Sequence, residues 1–394
     1  MARDVVVVGA VRTAVGTFGG SLKGVPLSRL AGEVTKAVVA RSGVSPDAVG
    51  HVVFGNVIPT EPRDAYLSRV AALDAGLPIE VPAFNVNRLC GSGLQAVVSA
   101  AQGIALGDAD VAIGGGAESM SRSPYMAADA RWGTRLGDSM LRDYMLDALH
   151  DPFHKIHMGI TAENVAQRCG ISRQDQDALA VESHRRAGRA IVEGRFKGQI
   201  VPIEIVTREG KALFDTDEHV RPDTSIEALG GMKAVFKADG TVTAGNASGI
   251  NDGAAAILLA EANWATREGL KPLARLVGYA HAGVEPELMG LGPVPATRHV
   301  LKRTGIRIED LDVIESNEAF AAQACAVTKA LGLDPAKVNP NGSGISLGHP
   351  VGATGTIIAV KAIHELHRVS GRYALVTMCI GGGQGIAAIF ERMA

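Results

Sequence analysis

The stretch Asn339-Pro-Asn-Gly-Ser-Gly344 decides the fold of this chain, because a similar stretch occurs in the first half of the sequence. There, Asn85-Val-Asn87 leads into Gly91-Ser-Gly93. Each copy stands before a segment rich in alanine and other small residues, which is typical of a closely packed helix. Motifs that recur with the same neighbours indicate a duplicated structural unit.

Three further pairs of short motifs repeat in the same order along the chain. Their offsets are 269, 261 and 267 residues. Short glycine-rich strings often match by chance, but three ordered offsets of similar size do not, so we interpret the halves as duplicated domains. The pairs are Val7-Val-Gly9 with Leu276-Val-Gly278, His51-Val-Val-Phe-Gly-Asn56 with Asp312-Val-Ile-Glu-Ser-Asn317, and Gly114-Gly-Gly116 with Gly381-Gly-Gly383.

Short strand-like runs alternate with helical patterns throughout the sequence. One helix is predicted over residues 27–39, and Ser172-Arg-Gln-Asp175 has the spacing of a capping box that opens another helix. This alternation predicts an α/β fold with a largely parallel sheet. The strand-like runs are residues 4–8, 51–54, 110–113, 275–279, 312–315 and 373–378.

One segment, residues 121–243, has no counterpart in the other half. It is rich in charged residues, methionine, histidine and single aromatics. A long excursion from a compact sheet often serves as a lid or binding loop, with an ordinary helical subdomain as the alternative. We therefore predict a first domain of residues 1–120 plus 244–268, an inserted loop domain of residues 121–243, and a second domain of residues 269–394.

The composition excludes several classes of protein. With 39 basic and 41 acidic residues the formal net charge is −2, and no long run of one sign occurs, so we expect no nucleic-acid partner. No stretch approaches the roughly 18 consecutive apolar residues of a membrane helix. Residues 1–8 lack the pattern of a secretory signal, so we expect a soluble, cytoplasmic protein without a membrane partner.

The four cysteines are widely spaced and form no Cys-x-x-Cys pair. This spacing argues against a disulfide framework and against a zinc cluster, so we expect reduced thiols and no bound metal. Cys169, near a predicted helix end, and Cys325, within Ala-Gln-Ala-Cys-Ala, are assigned to packing.

Cys90 stands where a predicted strand meets a helix of small residues. A thiol at a helix N-terminus feels the positive end of the helix dipole and unpaired N–H groups, so we expect a lowered pKa and thiolate character. Cys90 is therefore a candidate nucleophile. The alternative is a small buried hydrophobe, which is common for a cysteine beside alanine and leucine.

Three further candidates lie in the second half. His349 stands between glycines and a proline, and is a candidate base, with a loop histidine bonded to backbone carbonyls as the alternative. Cys379 ends a predicted buried strand directly before Gly381-Gly-Gly383, whose free N–H groups suit an oxyanion; an incidental core cysteine is the alternative. Asn317 follows another strand and can cap a helix or hold a water molecule.

A dinucleotide-binding fold fails in detail. Residues 5–19 begin like a strand that leads into a glycine-containing turn, but Gly9-Ala-Val-Arg12 lacks the G-x-G-x-x-G spacing. The glycine run at residues 381–385 is followed by a strand-like rather than a helical sequence. No Walker-type Gly-Lys-Ser/Thr occurs either.

Six motifs, taken together, closely resemble the thiolase family. The resemblance covers essentially the whole chain, and His157-Met-Gly159 is similar to the biosynthetic branch, in particular to bacterial β-ketothiolases that supply polyhydroxyalkanoate synthesis. It implies duplicated βαβαβαββ domains packed as a five-layer α/β/α/β/α sandwich with an inserted loop domain. The motifs are Asn87-Arg-Leu-Cys-Gly-Ser-Gly93, Gly114-Gly-Gly-Ala-Glu-Ser119, Gly245-Asn-Ala-Ser-Gly-Ile-Asn-Asp252, Asn317-Glu-Ala-Phe320, Gly348-His-Pro-Val-Gly-Ala-Thr-Gly355 and Cys379-Ile-Gly-Gly-Gly-Gln-Gly385.

The resemblance implies a role for each candidate. Cys90 would be the acylated nucleophile, His349 would activate it, and Cys379 would be the acid and base that takes a proton from the second acetyl-CoA. The backbone N–H groups of Cys90 and Gly381 would stabilise the tetrahedral oxyanion. His349 and a water molecule held by Asn317 would polarise the enolate oxygen.

By the same likeness, the inserted domain would hold coenzyme A. Arg221 would face a phosphate, with a solvated surface arginine as the alternative. The sequence departs from the usual biosynthetic pattern at Ala228 and residues 230–234, which puts coenzyme contacts there in doubt, and at Ser316, which would either shift the water site or add a hydrogen bond. The implied binding positions are Leu149, His157, Met158, Arg221, Ala244, Ser248, Met289, Ala319 and Phe320.

The activity that the resemblance implies is acetyl-CoA C-acetyltransferase. Two acetyl-CoA would condense reversibly to acetoacetyl-CoA and CoA, without a cofactor, and propionyl-CoA would also be accepted. The family implies a homo-oligomer, either a dimer or a tetramer built as a dimer of dimers, with residues 123–140 as the tetramer contact. The alternatives are a condensing enzyme that acts on acyl-carrier-protein substrates and a non-catalytic acyl-CoA-binding protein.

Overall fold

The computed structural model describes residues 3–208 and 210–393. The strands in this part of the chain are β1 (Val5–Thr13), β2 (Gly16–Thr17), β3 (His51–Gly55), β4 (Ala83–Val86), β5 (Val111–Ser119), β6 (Tyr125–Met126), β7 (Arg142–Asp143), β8 (Ile200–Val201), β9 (Ile203–Thr207), β10 (Gly210–Phe214), β11 (Asn251–Glu261), β12 (Ala274–Gly283), β13 (Leu311–Ser316), β14 (Tyr373–Ile380) and β15 (Gln384–Arg392). The α-helices are α1 (Leu27–Ser42), α2 (Leu67–Asp74), α3 (Ser92–Leu106), α4 (Tyr144–Ala148), α5 (Met158–Cys169), α6 (Arg173–Val192), α7 (Ile226–Gly230), α8 (Ala262–Arg267), α9 (Pro293–Thr304), α10 (Ala321–Leu331), α11 (Gly344–Leu347) and α12 (Val351–Arg368). Short 3₁₀ helices span Pro46–Ala48, Pro62–Tyr66, Met120–Arg122, Pro286–Leu291 and Ile308–Asp310.

The main sheet is mixed rather than largely parallel. Its strands follow the order β13-β14-β15-β12-β1-β11-β5-β3-β4, with β2 beside β11 and β8 beside β1. The pairs β13–β14, β5–β3 and β3–β4 are parallel, whereas the five pairs between β14 and β5 are antiparallel. Our prediction of a largely parallel sheet is wrong because a strand buried on both faces has the same apolar composition whichever way its neighbour runs.

Helices form three layers around the two halves of this sheet. Helices α3 and α12 lie between the halves, where their buried residues share one apolar cluster with β5, β11 and β14. Helices α1 and α2 cover the outer face of the first half, and α9 and α10 cover the outer face of the second. This is the five-layer sandwich that the sequence implied.

Two glycines bring α3 and α12 into close contact. A Cβ atom on Gly93 would lie 2.8 Å from the backbone nitrogen of Thr356, and one on Gly355 would lie 2.3 Å from the backbone nitrogen of Leu94. Only glycine allows backbones to approach so closely. Both helices begin beside the cavity described below, so this contact fixes the distance between the loops that precede them.

The order of elements confirms the duplication. The first half runs β1-α1-β3-α2-β4-α3-β5-β11, which is βαβαβαββ. The second half runs β12-α9-β13-α10-α12-β14-β15 apart from the four-residue α11. Its third strand is reduced to an isolated parallel bridge between Val338 and Ile314.

Residues 121–243 are fastened to the first half by both a strand and an ion pair. They contain β6 to β10 and α4 to α7, and β8 joins the main sheet beside β1. The buried guanidinium of Arg12 donates to the two carboxylate oxygens of Asp217 at 2.7 and 2.9 Å, and lies 4.8 Å from the ring centre of Phe196. A bidentate pair of this kind fixes geometry as well as charge.

Within the described residues, one segment, residues 89–106, is long and apolar enough to cross a membrane by composition alone. It contains α3, and 61% of it is buried inside the protein. A helix that is apolar on all sides is also what the centre of a large core requires. The position of α3 between the two halves of the sheet assigns it to the core.

Candidate active site

An apolar cavity of about 280 Å³ is lined by both halves of the chain and by the inserted segment. Within residues 3–208 and 210–393, no group of three or more His, Cys, Asp or Glu side chains could hold a metal ion. Ten of the residues singled out from the sequence line the cavity. They are Cys90, Leu149, His157, Met158, Ser248, Met289, Ala319, Phe320, His349 and Gly381.

Cys90 lies in a tight loop between β4 and α3. The preceding Leu89 has a left-handed φ of 46°, which residues with a side chain rarely adopt. The backbone N–H of Leu89 donates to the side-chain oxygen of Asn87 at 2.9 Å. The Ser92 hydroxyl accepts from the N–H of Arg88 at 2.8 Å and donates to the Leu89 carbonyl at 2.6 Å. Surrounding hydrogen bonds of this kind hold a strained residue in place at a functional site.

The thiol of Cys90 is not the thiolate that its place in the sequence predicted. Cys90 packs against Val57 and Met120, and burial raises its pKa to about 11. The backbone N–H groups of Gly381 and of Cys90 itself lower the pKa by a smaller amount. The prediction is wrong because α3 begins only at Ser92, so desolvation outweighs the helix dipole. Cys90 is therefore a neutral thiol at neutral pH.

His349 is held in the loop between α11 and α12 by a strand of the other half. The backbone N–H of His349 donates to Asn251 Oδ1 at 2.9 Å, and Asn251 Nδ2 donates to the carbonyl of Gly16 at 3.0 Å. The preceding Gly348 has a φ of +109°, and a Cβ there would lie 2.4 Å from Asn251 Cγ. Only glycine fits at this position, so β11 of the first half positions the histidine of the second.

The imidazole of His349 is buried and neutral. Its Nδ1 lies 2.7 Å from Thr354 Oγ1, and the amide nitrogen of Asn317 lies 3.4 to 3.5 Å from the two ring nitrogens. Burial lowers the pKa of His349 to about 4. A neutral imidazole can accept a proton at neutral pH, as a general base must.

Cys379 and Gly381 lie at the end of β14 and just beyond it. Cys379 is fully buried in an apolar cluster with Met158 and Phe320. Burial raises the pKa of Cys379, and the charge of an ionised Cys90 raises it further, so the two sulfurs lie close enough to interact electrostatically. The Gly381 N–H lowers the pKa of Cys90, so this N–H lies near the Cys90 sulfur. Two segments about 290 residues apart therefore meet at one thiol.

The outer part of the cavity is walled by aromatic rings and a short backbone pairing. The ring of His157 stacks on Phe236 at 4.7 Å between centres, and Phe236 meets Phe320 edge-on at 6.3 Å. The Ser248 N–H donates to the Ala319 carbonyl at 3.0 Å. Burial, and then the charge of a neighbouring histidine, lower the pKa of His157, so this wall is uncharged at neutral pH.

Four residues predicted for the site do not line the cavity. Asn317 and Cys379 are fully buried and contact residues that do line it. Arg221 and Ala244 are exposed and lie outside the cavity. Ala228, in α7, lies outside it as well.

Ser316 belongs to a different part of the molecule. It lines a second cavity, of about 750 Å³, instead of the first. Its backbone is bonded to the Asn339 side chain at 2.8 and 2.9 Å, but its hydroxyl has no hydrogen-bond partner among the described residues. Of the two alternatives for Ser316, an added hydrogen bond to the protein finds no partner among the described residues.

A buried carboxylate links the two halves beside the cavity. Glu118 accepts from the Asn56 amide at 2.8 Å, from the N–H groups of Val57 and Ile58 at 3.1 Å each, and from the N–H of Gly352 at 2.8 Å. Burial raises the pKa of Glu118, and these N–H groups oppose the rise. All four of these described partners donate to Glu118, which favours its ionised form. Glu118 thus ties one cavity wall to the first turn of α12.

Sequence reasoning missed part of this site. Asn251 and Thr354 stand within motifs quoted above, and their place in those motifs was the available signal. The other missed residues are mostly apolar and cannot be told from ordinary core positions before the fold is known. They are Val57, Ile58, Leu89, Met120, Leu146, Ala148, Phe236, Ala247, Gly249, Ile250 and Val351.

A thiol and an imidazole line one cavity between duplicated α/β halves, and a second thiol lies beside it, which are groups that suit an enzyme with a cysteine nucleophile. Residues 5–263 match the N-terminal thiolase domain, and residues 270–392 match the C-terminal thiolase domain. The chain belongs to the thiolase family, and it is an acyltransferase.

Individual relatives are similar over the full length of the chain. The β-ketothiolase BktB of Cupriavidus necator is 68% identical over 394 residues, which is 100% of both chains. The acetyl-CoA acetyltransferase of Chromobacterium violaceum is 49% identical and covers 99% of this chain and 100% of its own. The crystal structure of human mitochondrial 3-ketoacyl-CoA thiolase in complex with CoA has a TM-score of 0.97 at 44% identity, covering 100% of this chain and 98% of that one.

Proposed function

We propose that this protein is a β-ketothiolase that catalyses acetyl-CoA C-acetyl transfer, the reversible condensation of two acetyl-CoA to acetoacetyl-CoA and CoA. The observation that carries the proposal is that a neutral Cys90 thiol and a neutral His349 imidazole line the same apolar cavity. Such a pair can form a thioester, and an adjacent thiol can handle the proton of a carbon acid. The names of the relatives support the same activity.

The first half-reaction transfers an acetyl group to Cys90. His349 Nε2 takes the thiol proton as the sulfur attacks the thioester carbonyl, and the N–H groups of Cys90 and Gly381 stabilise the tetrahedral oxyanion. When this intermediate collapses, the bond to the CoA sulfur breaks and Cys379 gives that sulfur a proton. The enzyme then holds acetyl-Cys90, an imidazolium at His349 and a thiolate at Cys379.

The second half-reaction forms the carbon-carbon bond. The Cys379 thiolate takes a proton from the methyl group of a second acetyl-CoA. The N–H at Nε2 of His349 and a water molecule held by Asn317 stabilise the enolate oxygen; the buried Oδ1 of Asn317, which has no partner among the described residues, supports this role. The enolate attacks acetyl-Cys90, and the departing Cys90 sulfur regains its proton from His349. Each step moves an acyl group or a proton, so the scheme uses no redox cofactor.

The inserted segment would hold the coenzyme A part of the substrate. Leu149, His157 and Met158 from this segment line the cavity, and Phe320 faces them, so a slender pantetheine arm fits the passage. Ser248 and Ala319 would contact its amides, and Met289 would bound the acyl end. Arg221 and Ala244 lie at the surface, where Arg221 can meet a phosphate only outside the cavity.

The acyl range should extend beyond acetyl. The cavity beside Cys90 is walled by Val57, Ile58, Met120 and Val351, which offer apolar contact and no polar group that would reject an added methylene. Propionyl-CoA and 3-ketovaleryl-CoA are therefore included as substrates. The measurement is thiolysis of β-ketoacyl-CoA substrates of increasing chain length, beside the matching acyl-carrier-protein thioesters; faster turnover of the carrier thioesters would reject the proposal in favour of a carrier-dependent condensing enzyme.

The proposal is tested most directly at the nucleophile. Cys90→Ser should reduce acyl-enzyme formation from labelled acetyl-CoA to background, because a hydroxyl is a far weaker nucleophile than a thiol. The matched control is Cys325→Ser, which changes a cysteine in α10 that lines the second cavity and should leave labelling intact. Label trapped on a residue other than Cys90 would overturn the assignment.

The assembly is proposed to be a tetramer, a dimer of dimers, in the cytoplasm. Residues 123–140 expose large apolar side chains, among them Trp132 and Leu136, each 89% exposed. Such a patch is typical of an interface. Light scattering should give the mass of four chains, and shortening residues 127–139 to a glycine-serine link should give dimers; a monomer in both cases would contradict the proposal.

A further inference from the structure

Thr354 is the hydrogen-bond partner of His349 inside the protein. It lies in the first turn of α12, is 2% exposed, and places Oγ1 2.7 Å from His349 Nδ1. The same hydroxyl lies 2.9 Å from the carbonyl of Pro350, four residues earlier. Threonines in helices commonly donate to the carbonyl four residues before them.

The hydroxyl of Thr354 carries one proton and two lone pairs. With the proton directed to the Pro350 carbonyl, Oγ1 faces Nδ1 with a lone pair, so Nδ1 must carry the ring hydrogen. Burial keeps His349 neutral, and a neutral imidazole has only one N–H, so Nε2 is left with a free lone pair. The Asn317 amide nitrogen lies 3.4 to 3.5 Å from both ring nitrogens, so the tautomer is set by the Thr354 contact and not by Asn317.

We propose that Thr354 is a positioning residue that fixes the tautomer of His349, so that Nε2 is the nitrogen that takes the proton of Cys90 and later donates to the enolate oxygen. The inference rests on the proposed function. When Nε2 takes the proton, both ring nitrogens carry hydrogen, and Oγ1 continues to accept from Nδ1, which stabilises the imidazolium through the second half-reaction.

The experiment compares three substitutions. Thr354→Val keeps the shape of the side chain and removes the hydroxyl, whereas Thr354→Ser keeps the hydroxyl. The matched control is Thr356→Val, two residues further along α12, because Thr356 is fully buried and its hydroxyl has no hydrogen-bond partner among the described residues. Rapid-quench labelling of Cys90 with radioactive acetyl-CoA gives the acylation rate, and steady-state thiolysis gives kcat and KM separately.

We expect Thr354→Val to slow acylation and to lower kcat by at least about tenfold, with the KM for acetoacetyl-CoA unchanged. A positioned general base accelerates a reaction by roughly 10²- to 10⁴-fold, and a misoriented imidazole loses part of that acceleration. Thr354→Ser should restore both to within about threefold, and Thr356→Val should stay within about twofold of the unmodified enzyme. A normal acylation rate in Thr354→Val, an equal loss in Thr354→Ser, or an equal loss in Thr356→Val would each overturn the inference. Failure of the unmodified enzyme to acylate Cys90 would instead reject the proposed function.

Discussion

The protons on Cys90 and His349 determine how the enzyme responds to pH. Burial raises the pKa of Cys90 to about 11 and lowers that of His349 to about 4, so neither group changes its protonation between these values. We expect the acylation rate of Cys90 to stay constant within about twofold from pH 6 to 9, and to fall as the pH is lowered towards 4, because a protonated imidazole cannot accept a proton. Rapid-quench labelling measures this profile. An inflection near pH 7 to 8 would indicate a thiolate and imidazolium pair instead.

The two thiols of the site are expected to have different roles, because Cys90 carries the acetyl group whereas Cys379 only transfers protons. Cys379→Ala should leave acetylation of Cys90 within about tenfold of the unmodified rate, because Cys379 touches only the departing sulfur in that step, and should lower condensation by about 10³-fold or more. Single-turnover labelling and acetoacetyl-CoA synthesis measure the two steps separately. Equal loss in both would contradict separate roles.

The residues that lie at the site were easier to predict from the sequence than their protonation states. Cys90, His349, Cys379 and Gly381 were all identified from the sequence, and the structure brings them together. The direction of the Cys90 pKa was wrong, because the sequence reveals the helix that follows a cysteine but not the apolar side chains, such as Met120, that pack on it from elsewhere.

At the level of the element, Gly348 controls the loop that carries His349. Gly348→Ala adds a Cβ within 2.4 Å of Asn251 at a φ of +109°, so we expect about 1–3 kcal/mol of destabilisation together with a loss of most activity. The control is Gly332→Ala. Gly332 ends α10 with a φ of +63°, and a Cβ there would meet no other atom, so this variant has the strain of a left-handed backbone without a steric clash. Thermal unfolding and kcat measure the outcome; full activity in Gly348→Ala would contradict this role of the loop.

Element boundaries followed from the sequence better than strand direction did. The predicted helix over residues 27–39 is α1, and the predicted capping box at Ser172 is the N-terminus of α6, with both of its hydrogen bonds formed. The run at residues 373–378 is β14. Direction depends on which neighbour each strand meets, and that is a property of the assembled sheet rather than of any run of residues.

Over the whole molecule, the Arg12–Asp217 pair holds the inserted segment to the first half. Both side chains are fully buried, and Asp217 also accepts from the N–H of Val15 at 2.9 Å. Asp217→Asn leaves an uncompensated buried guanidinium, so we expect about 3–5 kcal/mol of destabilisation. The control is Asp310→Asn, which changes a surface ion pair with Arg307 and should leave the thermal midpoint nearly unchanged. Equal midpoints for the two variants would contradict this role of the pair.

The order of elements places the two loops of the site at equivalent positions in the two halves. In each half, a loop leads into the helix that lies in the central layer: the loop before α3 carries Cys90, and the loop before α12 carries His349. Two identical halves would present two identical loops to the cavity. Because both halves belong to one chain, the two loops can differ in sequence, so that one carries a thiol and the other an imidazole.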